Sequence, residues 1–168
     1  MTKYIPEDTS VTFSEIPNRV TLCINISNCP YNCPGCHSDY LRQDIGDELT
    51  VDILDNLINK NDGIDCVCFM GEGKDYKDIL NLAKHIKEEY PELEVGLYSG
   101  SNIIKDREYF NVFDYIKLGP YIEALGPLNN PNTNQRLYKK LKGTLAEIGG
   151  YHINDWADIT YRCRIKTL

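Results

Sequence analysis

The sequence predicts an α/β fold, an incomplete, open βα barrel of about five to six βα units. Three observations predict it. Apolar, β-branched stretches alternate with stretches of helical periodicity. The most apolar stretch, Ile64 to Met70, reads "IDCVCFM", a near-continuous run of the kind buried on both faces of a parallel sheet. The chain has 168 residues, fewer than the ~200 or more of a complete eight-unit barrel, yet enough for one domain, taken as residues 1–168. A small doubly wound sheet is the competing arrangement. Either one places its chemistry just past the C-terminal ends of the strands.

The first main strand is "RVTLCINI", Arg19 to Ile26, apolar and β-branched. A polar, cysteine-rich loop comes next. Thr50 then caps a helix whose Val51, Leu54, Leu57 and Ile58 fall on one face. After "IDCVCFM" and the turn "GEG" comes a second helix, with Ile79, Leu82, Ala83 and Ile86 facing inward. Pro91 helps end it, because the residue before a proline disfavours the helical region. "LEVGLYSG" (Leu93 to Gly100), "DYIKLG" (Asp114 to Gly119) and "DITYRCRI" (Asp158 to Ile165) are the remaining expected strands.

Composition is ordinary for a globular protein: 42% apolar and 26% charged residues, with a formal charge of −7. An acidic chain without a basic block is a poor nucleic-acid binder, since phosphate neutralisation normally carries that affinity. No apolar run suggests a membrane span, and the polar start "MTKYIPEDTSVTF" does not read as a secretory signal. A cytoplasmic protein is the expectation. The seven cysteines then read as reduced thiols, some of them metal ligands.

Three of them, Cys29, Cys33 and Cys36, stand as C-x3-C-x2-C directly after the first main strand. Pro30 and Pro34 stiffen this loop, and Gly35 permits a sharp turn beside the last thiol. Iron–sulfur clusters are usually held by four cysteines. Three local ligands leave one iron open to bind something else. Tetrahedral zinc is the alternative, with Cys23, His37 or the Cys66/Cys68 pair as a fourth donor. "CPGCH" also matches the c-type haem string, but Cys29 then has no role. Cys66 and Cys68 are two apart on a strand and share a face. In so apolar a run they read as buried small hydrophobes, as do Cys23 and Cys163.

The cysteine triad resembles the radical S-adenosylmethionine (SAM) superfamily. "CPYNCPGCHS", "FMGEG" and "YIKLGPYIEALGPLNNPNTNQRLY" resemble the activating proteins of anaerobic ribonucleoside-triphosphate reductase, over roughly Thr12 to Tyr138. The resemblance implies a radical SAM type barrel and a [4Fe–4S] cluster on Cys29, Cys33 and Cys36, whose open iron chelates SAM. It implies reductive cleavage of SAM to a 5′-deoxyadenosyl radical, which takes a hydrogen from a glycine of the reductase large subunit. It also implies an oxidoreductase supplied by a reduced flavodoxin or ferredoxin-type donor, acting without nucleic acid or membrane.

Carried over residue by residue, the resemblance puts Gly35, Cys36 and His37 beside the adenine side of SAM. Gly71 and Glu72 match the Gly-Gly-Glu segment that meets the methionyl amino group, with Met70 in place of its first glycine. Asn134 and Gln135 match a late polar element. Each has a plainer reading: His37 a solvent-facing histidine, "MGEG" a strand-to-helix turn, and "LNNPNTN" a surface turn. "GEGKD" lacks the phosphate-loop spacing. Activation of another glycyl-radical enzyme, such as pyruvate formate-lyase, and a non-catalytic zinc or iron–sulfur scaffold are the competing functions.

Overall fold

The computed structural model describes residues 1–164. Its core is one seven-stranded mixed sheet. Strands β1 (Lys3–Tyr4) and β4 (Asp47–Glu48) form a separate two-stranded ribbon. The large sheet runs in the order β2 (Ser10–Thr12), β3 (Thr21–Asn25), β5 (Cys66–Met70), β6 (Glu94–Tyr98), β7 (Tyr115–Leu118), β8 (Arg136–Ile148) and β9 (Tyr151–Asp158). Strands β3, β5, β6 and β7 are parallel. Both flanks of this parallel block are antiparallel.

Three helices make the crossovers: α1 (Val51–Asn59), α2 (Tyr76–Glu89) and the one-turn α3 (Tyr109–Val112). Thr50 caps α1, its hydroxyl accepting from the Ile53 N–H at 3.2 Å, and Asp75 caps α2 in the same way through the Asp78 N–H. All three pack on one face of the sheet. Leu22, Ile24, Val67, Phe69, Val95 and Leu97 point into that layer with Leu54, Ile79, Ile86 and Phe110. The alternate residues Cys66, Cys68 and Tyr115 point the other way, into a smaller cluster with Ile16, Leu137 and Ile159. The alternation reflects the two-residue period of a strand.

This architecture corrects the barrel expected from the sequence. Three crossovers stand where about five to six βα units were predicted, and the sheet is not a radical SAM type βα barrel. Nor is it doubly wound, since none of the α-helical residues among those described packs on the second face. The reason lies after β7. Gly119–Gln135 contains Pro120, Pro127 and Pro131 and forms no helix, so nothing carries the chain back for another parallel strand, and it returns antiparallel as β8. The β8–β9 hairpin turns at Gly149 and Gly150, both with positive φ, 57° and 91°. Tyr151 and Trp156 of β9 pack edge-on against Phe110 of α3.

The strand expected at Asp158 to Ile165 is also corrected. β9 ends at Asp158, whose carboxylate accepts from the Thr160 N–H at 2.9 Å, and Thr160–Cys163 is a 3₁₀ turn. Ile165 lies outside the described residues. Among the described residues no helix is long and apolar enough to cross a membrane.

Candidate metal centre

β3 delivers the chain to the C-terminal edge of the parallel block, where Asn28 turns it with φ 61°. Asparagine tolerates this left-handed conformation better than most residues, and its side chain is tied to Asp44 at 3.1 Å. The cysteine loop then leans on the segment after it: the Asn28 N–H donates to Gln43 and the Cys29 N–H to Leu41, at 3.2 and 2.9 Å. The Cys36 N–H donates back to Cys33, closing a tight turn. Gly35 sits in it at φ +76°, and a Cβ there would come within 2.8 Å of Glu123.

The three thiols line one open cavity of about 210 Å³ at the ends of β3, β5, β6 and β7. Asn25, Met70, Tyr98 and Lys117, the last or near-last residues of those strands, form its floor with Gly71, Ser99, Gly119 and Gln135. The Ser38 N–H donates to the Cys36 sulfur at 3.4 Å, a contact that stabilises a thiolate. Burial pushes the Cys29 thiol up, and the neighbouring Cys33 and Cys36 add to the rise against the Tyr31 carbonyl contact and Arg42. A buried lysine lines the same cavity. Lys117, 7% exposed, is pulled down to about 8 by burial, while Cys33, Cys36 and Cys29 hold it up. A larger cleft of about 570 Å³ beside Phe13, Pro17 and Tyr161 carries a single thiol, Cys163. Donor chemistry, not size, singles out the cysteine cavity.

These residues fit an iron–sulfur cluster. Three soft sulfur donors share one cavity with a buried lysine, and a backbone N–H meets one of them. The other cysteines are placed for packing. Cys66 and Cys68 are fully buried on the second sheet face, and burial raises both thiols well above the usual range. Cys23 is pushed up to about 11 for the same reason. Cys163 is half-buried.

The remaining residues singled out by sequence divide. Gly71 and Gln135 line the cavity. Gly35 and His37 are exposed and do not, although the His37 ring lies 5.8 Å from that of Tyr121, which does. Asn134 donates to the Pro120 carbonyl at 3.0 Å, and its carboxamide oxygen is buried without a hydrogen-bond partner among the described residues. Glu72 is buried away from the cavity. Its carboxylate accepts from Ser99 and from Tyr109 at 2.5 Å, and pairs with Lys105 at 3.3 Å. Lys105 in turn lies over the Tyr31 ring of the cysteine loop, and Gly100 lets Tyr31 close in, for a Cβ there would meet the ring at 2.8 Å. Glu72 therefore braces the turn after β5 against the cysteine loop.

Sequence reasoning missed Lys117, Tyr98, Ser99 and Gly100. The signal for Lys117 was present: a lysine between apolar neighbours in the short strand "YIKL", on the same face as Tyr115.

A search of curated proteins and a search of solved structures each found no match. A sequence model of the 4Fe-4S single cluster domain matches residues 18–139, which takes in the cysteine loop and every strand of the parallel block. By that match, covering well over half of the chain, this protein belongs to the 4Fe-4S single cluster domain family.

Proposed function

We propose that this chain is a radical SAM activase that generates a glycyl radical on the large subunit of an anaerobic ribonucleotide reductase. The carrying observation is the donor count: Cys29, Cys33 and Cys36 line the cavity, and no fourth cysteine does among the described residues. When bound, the reduced [4Fe–4S] cluster and SAM together supply the radical chemistry. The chain's own part is to hold and to shield. Cys29, Cys33 and Cys36 hold the cluster. Gly71 offers backbone and Gln135 a carboxamide to a polar ligand beside it, the task proposed for the SAM-contacting residues. Asn134, through its buried oxygen, and the exposed Gly35 and His37, the latter beside Tyr121, complete the proposed set. Glu72 serves it through the brace to Ser99, Tyr109 and Lys105. Tyr98 and Met70 help keep water from the floor. A reduced flavodoxin or ferredoxin-type protein is the proposed electron donor, in the cytoplasm.

A zinc scaffold needs donors converging on one ion at roughly 2.0–2.3 Å. Among the described residues no group of three or more His, Cys, Asp or Glu is arranged to hold a single metal ion. A cubane instead gives each thiolate its own iron, so its three donors need only line one cavity, as these do.

The test is anaerobic reconstitution with iron and sulfide, reduction by dithionite, and addition of SAM with the reductase large subunit. The expected result is 5′-deoxyadenosine together with a glycyl-radical EPR signal, both lost in Cys33→Ala. A fully loaded cluster that leaves SAM intact contradicts the reading. Deoxyadenosine with a radical on pyruvate formate-lyase and none on the reductase would change the partner.

A further inference from the structure

Lys117 stands on the cavity floor with all three loop cysteines, and its ammonium is buried. It donates to the Gly119 carbonyl at 2.8 Å and to the Ser99 carbonyl at 3.3 Å, and lies 6.0 Å from the centre of the Tyr98 ring. An ammonium has three N–H donors, so one is left without a partner among the described residues. Among the described residues no carboxylate forms an ion pair with it. A buried charge without a counter-ion is strongly unfavourable, and neutral carbonyls do not cancel it. The opposite charge has to come from the cavity.

We infer that the Lys117 ammonium is the counter-charge of the cluster held by Cys29, Cys33 and Cys36, and that it raises the cluster's reduction potential. The inference rests on the proposed cluster site. A [4Fe–4S] core held by three thiolates is net negative, and each added electron makes it more so. A fixed cation nearby therefore stabilises the reduced form more than the oxidised one, and in a partly dry site that preference is large. The chain as a whole is acidic, at −7, so its overall field opposes reduction and the local cation has more to offset.

The test is an EPR-monitored redox titration of the reconstituted protein without SAM, comparing wild type with Lys117→Met and Lys117→Arg. Iron and sulfide content is measured first. At a fixed applied potential, the reduced-to-oxidised ratio of Lys117→Met should fall on the order of tenfold, which is about 59 mV for a one-electron couple. Lys117→Arg, which keeps the charge, should stay within about twofold of wild type. A Met variant that loads its cluster and titrates with wild type overturns the inference, as do Met and Arg variants that shift alike. Two variants that both fail to load, beside a wild type that loads, show that the site needs the lysine's shape and not its charge, and this too overturns it. A wild type that takes up no cluster sinks the activase reading itself, and with it the counter-charge.

Discussion

Two groups of cysteines divide this molecule, and their surroundings are opposite. Cys29, Cys33 and Cys36 sit on an irregular loop, partly exposed, with a backbone N–H on one sulfur and a buried lysine across the cavity. Cys66 and Cys68 sit two apart on a central strand, fully buried. Cys68 packs against Gly96 of β6, whose missing side chain leaves it room: a Cβ there would lie 3.2 Å from the sulfur. Burial opposes a thiolate in both settings, and far more strongly at Cys66 and Cys68, where it would be stranded in apolar surroundings, than at Cys29. The residue type is the same in both places. Access, an N–H donor and a neighbouring cation mark the loop cysteines as the proposed ligands and leave the strand cysteines as small hydrophobes.

The sharpest way to break this comparison is to remove one loop thiol. Cys33→Ala should lose essentially all cluster loading by iron and sulfide analysis while urea unfolding stays within about 1 kcal/mol of wild type, because the loop thiol contributes little to the core. The brace behind the loop should show next. Gly100→Ala puts a methyl group into the Tyr31 ring and is expected to lose about 1–3 kcal/mol of stability by overpacking, with reduced iron loading as the loop shifts. Tyr109→Phe leaves one Glu72 oxygen without its hydroxyl donor and should lose about 1–3 kcal/mol in urea titration, the usual penalty for a buried acceptor left unsatisfied. Cys68→Ala gives the smallest effect, about 1 kcal/mol from a small cavity, with iron stoichiometry unchanged. Loss of iron in Cys68→Ala would erase the distinction between the two groups.

The place of the cysteine loop, just past the end of a parallel strand and on one cavity, was legible because its signals are local: spacing, prolines and a glycine are all read within eight residues, Cys29 to Cys36. The parallel strands were legible for a similar reason, since "CVCFM" and "EVGLY" declare themselves by composition. The barrel was not, because whether a sheet closes depends on how the chain continues beyond its last parallel strand. There the sequence offered a proline-rich loop and then the β8–β9 hairpin, whose polar, lysine-bearing residues show weak alternation. The Gly149-Gly150 pair was its one clear sign. Glu72 shows a different limit. Its place in "MGEG" suggested a carboxylate facing a ligand, but Ser99, Tyr109 and Lys105, distant in sequence, hold it in the wall behind the cavity.

The central claim is that three loop thiols hold a cluster with one iron left open. Mössbauer spectroscopy of protein reconstituted with enriched iron, recorded with and without SAM, tests it most directly. The account predicts one iron site whose parameters change when SAM is added, while the three thiolate-bound sites stay as they were. A spectrum indifferent to SAM, with all iron sites equivalent, would contradict it.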